Sequence, residues 1–263
     1  MSQKRKVLYK NPQQIEAIRE AWKYLTELLW LLYDYVKPGQ SLIDLEMYAE
    51  SYIKKHKLLG AFKWYNWFPA NLCLSVNDCL VHGIPDWYIL KSGDLLKVDC
   101  GITYKKWIAD AAFSIVVGWS FANPEAEALI EATRLGLDHG LQYVQPGKKI
   151  FEFSSAVESF INQKWYSVVE NLTWHGVWIE VHEPPYIYNF PHPETKKYMF
   201  EDTMVVALEP ITAFSSYTYR EQKPKVKPNG RNLYTQGWDN WAQREYTVLI
   251  TATWHEVLAG LQK

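Results

Sequence analysis

Tyr35-Val36-Lys37-Pro38-Gly39 returns as Tyr143-Val144-Gln145-Pro146-Gly147, an offset of 108 residues (143 minus 35). At the same offset Glu50-Ser51-Tyr52-Ile53 returns as Glu158-Ser159-Phe160-Ile161. Two matches in one register mark an internal repeat. Each Pro-Gly pair stops the segment before it. Upstream of the first, Asn11-Pro12 reads as a cap with proline in the first turn, and Ile15, Ile18, Ala21, Leu25, Leu28, Leu29 and Leu32 recur at helical spacing as far as Val36. Ser41 caps a second helix through about Lys55, and Asn123-Pro124 opens a long helix from Glu125 to Val144. Residues 72–76, 95–104 and 108–117 are apolar and β-branched between turn signals, so they read as strands. Each half therefore runs helix, stop, helix, strands. The pattern predicts an α+β fold with a pseudo-two-fold internal repeat and a central antiparallel sheet with flanking helices. A site at the junction would take ligands from both halves.

The 263 residues suit one domain, placed at 11–263 with halves of about 11–118 and 119–263 after a short extension, 1–10. With 28 Lys plus Arg against 29 Asp plus Glu, the formal charge of −1 argues against nucleic acid or a membrane surface as partner. Cys73, Cys79 and Cys100 are too few for a disulfide scaffold. No apolar run follows the basic N-terminus, and the most apolar stretch, Leu25 to Val36, is too short to span a bilayer and carries Glu27 and Asp34. A cytoplasmic setting is expected.

Asp99 and Asp110 are equidistant from a turn at Tyr104 and Lys105, which predicts that they face each other across a hairpin. Two facing carboxylates on an apolar hairpin call for a cation between them. His175 and His182 lie seven apart, so a regular strand would point them to opposite faces. Glu209 follows the apolar run Met204 to Leu208, and Glu245 precedes Thr247 to Ile250. Four carboxylates and an imidazole suit a pair of divalent ions better than a thiolate-rich site. Such a pair, roughly 3.5–4 Å apart, activates a shared water for hydrolysis.

The order and neighbours of these residues resemble type I methionine aminopeptidases, which have the pita-bread fold. The likeness runs from about Asn11 to the C-terminus. It is carried by Ser75-Val76-Asn77-Asp78, Val81-His82-Gly83-Ile84-Pro85-Asp86, the Asp99/Asp110 pair, His175-Gly176 followed by His182-Glu183-Pro184, Leu208-Glu209-Pro210 and Glu245. The resemblance implies that Asp99, Asp110, His175, Glu209 and Glu245 ligate two divalent ions (Co, Mn, Fe or Zn). A water held by them would release the initiator methionine from nascent polypeptides. Glu209 resembles the ligand that also shuttles a proton, His82 the residue that positions substrate, and His182 the one that supports the tetrahedral intermediate. Cys73, Tyr65 and Phe68 fall where the family lines its methionine pocket. The resemblance further implies a monomer, with the ribosome as a candidate partner. The rivals are an X-Pro peptidase of the prolidase or aminopeptidase P kind, and a non-catalytic pita-bread binding protein. Two features depart from the family: Tyr246 stands where it often has His, and Tyr219 to Asn240 is longer and more basic, read as a surface loop.

The chain holds 13 Trp and 13 Gly. Trp64, Trp67, Trp119, Trp174, Trp178 and Trp254 fall where the resembling family has Gly. Trp87, Trp107, Trp165, Trp238 and Trp241 read as turn-like, and Trp22 and Trp30 as helical. The expectation is that many of these codons are UGA in an organism that reads UGA as glycine. Glycine would then reach 26 of 263 residues, about 10% against an average of about 7%. At Trp174 and Trp178 an indole is expected to crowd the site or to be pushed into solvent.

Overall fold

The computed structural model describes residues 9–170, 172–214 and 240–261, and between the last two the backbone of two short strands. Helix α1 (Pro12–Tyr35) starts at a capping box in which Asn11 and Gln14 bond each other's backbone N–H. Its apolar stripe, Ile18 to Leu32, is buried against the first sheet. Helix α2 (Leu42–Lys55) is capped in the same reciprocal way by Ser41 and Asp44. The first sheet is antiparallel: β3 (Leu95–Tyr104) pairs on one edge with β1 (Leu59–Gly60) and β2 (Leu72–Val76), and on the other with β4 (Trp107–Val116).

The second half repeats the plan. Helices α3 (Pro124–Leu141) and α4 (Ile150–Gln163) follow, and both limits of α4 lie 108 residues beyond those of α2. The two stops are equivalent as well. Gly39 and Gly147 sit in left-handed backbone at φ 91° and 84°, and their N–H groups donate to Leu90 O and Phe200 O at 2.8 Å each. The remaining strands are β5 (Ser167–Val168), β6 (Thr173–Gly176), β7 (Glu183–Tyr188), β8 (Val205–Leu208), β9 (Ile211–Ala213), β10 (Lys225–Val226), β11 (Leu233–Tyr234), β12 (Trp241–Gln243), β13 (Tyr246–Ile250) and β14 (His255–Ala259). They form a five-stranded sheet in the order β14-β13-β8-β6-β7, a three-stranded one in the order β12-β9-β5, and the β10-β11 pair.

A seam of alternate residues joins the halves. Gln243 exchanges bonds with Ser114 Oγ through its N–H and C=O, 2.8 Å each, Glu245 N–H donates to Ala112 O at 2.9 Å, and Thr247 Oγ1 donates to Asp110 O. Residues 243, 245 and 247 thus step down β4 in register with 114, 112 and 110.

Three expectations need correction. The hairpin turn is Lys105-Lys106, closed by Tyr104 opposite Trp107, so Asp99 faces Ala112 and Asp110 faces Gly101. The two carboxylates are diagonal neighbours on one face instead of direct partners, because the loop lies one residue later than counted. Trp107 and Trp241 belong to strands β4 and β12, not to turns. Trp238, and most of the basic stretch Tyr219 to Asn240, lie outside the described residues. No helix among the described residues is long and apolar enough to cross a membrane.

Candidate metal centre

The ten singled-out residues line one cavity of about 500 Å³: Tyr65, Phe68, Cys73, His82, Asp99, Asp110, His175, His182, Glu209 and Glu245. Asp99 and Asp110 reach it from β3 and β4, and Glu245 from the seam just before β13. His175 comes from β6, where it lies opposite Ala207, and Glu209 from the β8–β9 link. Ligand atoms of Asp110, His175 and Glu245 all lie within 4.8 Å of one another.

The centre is rich in ionisable groups and largely buried. Asp110, His175 and Glu245 are each no more than 3% exposed. Burial pushes the carboxyls of Asp99, Asp110 and Glu245 well above the ordinary range, and repulsion within the cluster pushes them further. Glu209 is raised to about 8, chiefly by burial. One oxygen each of Asp99, Asp110 and Glu245 is buried with no hydrogen-bond partner. Gly176 O, an acceptor only, lies 3.2 Å from His175 Nδ1 and so takes its proton. That leaves the Nε2 lone pair facing the cavity acids, 3.5 Å from Glu209 Oε1. Burial lowers His175 to about 4, keeping it neutral. Acids crowded together with an imidazole and leaving buried oxygens unpaired fit divalent cations, which this donor set of oxygens and one nitrogen suits.

The irregular path needed to bring the two histidines together is present. Between β6 and β7 the chain turns at residues 177–182, and the His175 and His182 rings meet edge-on at 4.3 Å between centroids. Glu183 holds this turn by accepting from Ile179 N–H and Glu180 N–H at 2.9 Å each. His182 Nδ1 shares a 3.0 Å hydrogen bond with Tyr65 OH of the first half. At the rim, exposed His82 is itself in left-handed backbone, φ 57°. Gly83 behind it packs so closely on β2 that a Cβ would strike the Leu74 carbonyl.

Gln243 escaped the sequence reading. Its Nε2 donates to Glu209 Oε2 at 3.0 Å, and it lines the cavity. A neutral amide beside Arg244 carries no signal of its own; only its place two residues before Glu245 on a seam strand hints at it. Phe62, Val81 and Tyr186 complete the apolar wall and were also missed.

The expected effect of Trp174 and Trp178 is not seen. Both indoles are buried, at 0% and 6% exposure, and neither lines the cavity. Alternation along β6 turns Trp174 away from His175 and onto Phe153, while Trp178 stacks on Trp107.

A profile of metallopeptidase family M24 matches residues 16–252. The methionine aminopeptidase of Mycoplasma capricolum is 32% identical over 98% of this chain and 100% of its own. That of Clostridium perfringens is 33% identical, over 96% and 98%. Among solved structures, methionine aminopeptidase from Thermotoga maritima superposes with a TM-score of 0.90 at 28% identity, covering 97% of this chain and 100% of that one. Prolidase from Pyrococcus furiosus, at 20% identity and a TM-score of 0.75, shares the fold over 97% of this chain but only 66% of its own. Both neighbours have the pita-bread fold. A five-residue acidic and imidazole centre assembled from both halves of that fold agrees with the profile and the full-length relatives, and the chain belongs to metallopeptidase family M24.

Proposed function

We propose that this protein is a methionyl aminopeptidase that removes the N-terminal methionine of nascent peptides. Two divalent ions would be held by Asp99, Asp110, His175, Glu209 and Glu245. The observation that carries this reading is the approach of ligand atoms of Asp110, His175 and Glu245 to within 4.8 Å of one another, in a cavity where Asp99, Asp110 and Glu245 each carry a buried, partnerless oxygen. When bound, such ions polarise the scissile carbonyl and supply a nucleophilic water at neutral pH.

The chain's own groups do the rest. Cys73, Phe62 and Phe68 offer a soft, apolar pocket to a thioether side chain. Glu209, which accepts from Gln243 Nε2, would take a proton from the attacking water and hand it to the leaving amine. His182, held by Tyr65, lines the same cavity and would support the developing tetrahedral intermediate, while His82 would position the substrate.

The test is cleavage of Met-Ala-Ser against an X-Pro dipeptide by protein loaded in turn with Co, Mn, Fe and Zn. Release of Met from the first, with the dipeptide left intact, is expected; preference for X-Pro would install the rival reading. Glu209→Ala should lose turnover while remaining folded, whereas His82→Ala should keep its metal content and lose kcat/KM.

A further inference from the structure

Lys97 lies two residues before Asp99 on β3, on the same face, and is 1% exposed. Its Nζ donates to Asn77 O at 2.8 Å and to Trp241 O at 2.9 Å. These two carbonyls come from opposite halves of the chain, Asn77 from the end of β2 and Trp241 from β12. Asn77 starts the turn that leads from β2 to His82. It is in left-handed backbone, φ 50°, and is tied to Leu95 by its N–H and its Oδ1, 2.8 Å each. Downstream, Gly83 is pinned to β2 through Leu74 N–H and Ser75 Oγ. Trp241 opens β12, the strand that delivers Gln243 and then Glu245. Lys97, opposite Ser114 on the neighbouring strand, carries the seam from β4 onto β3: Trp241 O is bound by the Lys97 amino group where Gln243 is bound by Ser114.

We infer that Lys97 is a positioning residue of this site, its amino group clamping the turn that carries His82 to the strand that carries Gln243 and Glu245. Two carbonyl oxygens converging on one buried point require a head with at least two N–H donors on a stem long enough to reach from β3. Of the uncharged side chains that fill the same space, Met and Leu bring no donor and would leave both carbonyls unpaired. The kinetic consequence rests on the aminopeptidase reading; the structural one does not.

Lys97→Ala removes three methylenes and the amino group, a gap that propylammonium fills atom for atom. 1-Propanol has the same length but a single donor. On Met-Ala-Ser, Lys97→Ala should lower kcat by about 100-fold, the scale of a small misplacement of reacting groups. KM should change little, because Cys73 and Phe68 are untouched. Propylammonium should restore at least about tenfold of the loss and leave the wild type unchanged, and 1-propanol should not restore it. Independently of activity, the amides of Gln243 and Glu245 should exchange hydrogen faster in the variant and slow again with propylammonium. If Lys97→Ala does not fold, refolding should recover with propylammonium and not with 1-propanol. Wild-type kcat in Lys97→Met, equal rescue or refolding by the two additives, or no recovery with either overturns the clamp. A wild type inactive on Met-Ala-Ser would instead overturn the aminopeptidase reading, and the exchange measurement would still judge Lys97.

Discussion

Asp99, Asp110, Glu209 and Glu245 are all held above the ordinary carboxylate range in the folded chain, by burial first and, for all but Glu209, by neighbouring acids second. An acid whose folded value is raised stabilises the fold only while it keeps its proton. That contribution is complete below the unfolded value and drains away as pH rises through the folded one. His175 and His182, both lowered to about 4 by burial, act in the opposite sense between about 4 and their ordinary 6.5. Above 6.5 they are neutral in both states, and as far as about 8, where Glu209 titrates, the four raised acids outnumber the two buried amines that act against them, Lys97 lowered to about 7 and Lys10 to about 8. Metal-stripped protein should therefore lose Tm across that window, and the Tm gained on adding Mn should grow across it. A flat Tm in the stripped protein would sink the account. The acids and histidines of this centre were legible in the sequence because charged residues inside apolar runs are conspicuous. Gln243 was not, since its role exists only once the seam sets it against Glu209.

At the scale of elements, the repeated Pro-Gly stops made both helix pairs readable, and α2 and α4 keep the 108-residue offset at either end. The hairpin was harder. Lys105-Lys106 offers no Gly or Asn to mark a two-residue turn, yet Lys105 takes up left-handed backbone at φ 58°. Counting from apolar limits thus misplaced it by one residue and put Asp99 opposite the wrong partner. The turn at residues 177–182 shows how an element that propensity does not define is fixed by one side chain. Glu183 accepts its two N–H groups and so sets where His182 meets His175. Glu183→Ala should cost about 2 kcal/mol, as expected for bonds to a charged acceptor, and should depress kcat by displacing His182. Metal content should be retained, because all five acid and imidazole residues are on other segments. Glu183→Gln keeps one acceptor oxygen and should recover part of both losses; calorimetry and Met-Ala-Ser kinetics read the two effects.

Across the whole molecule six of the described tryptophans stand out, in two groups of three. Trp64, Trp67 and Trp165 are in left-handed backbone at φ 72°, 65° and 64°, and all three are exposed, 68–88%. A bulky side chain there costs about 1–2 kcal/mol, from which glycine is exempt. Trp22, Trp174 and Trp178 are buried, and each leaves its indole N–H without a partner, where a native indole normally finds one. The aromatic cores they fill remove the expected obstruction of the site, so replacing Trp174 and Trp178 by Gly in the chain as written should open cavities and lower stability rather than restore activity. Strain at three positions and unpaired donors at three more are what glycine positions rewritten as tryptophan would leave behind. Replacing Trp64, Trp67 and Trp165 together by Gly should therefore raise stability by about 1 kcal/mol at each. The same reasoning reaches the protein in its source cell. If its UGA codons are read as glycine, intact mass spectrometry of natively purified material should give a mass below that of the written chain by a whole number of Trp-to-Gly differences, with peptides placing Gly at 64, 67 and 165. A native mass that matches all 13 Trp would end the recoding idea and leave the three left-handed indoles as strain carried by the natural protein.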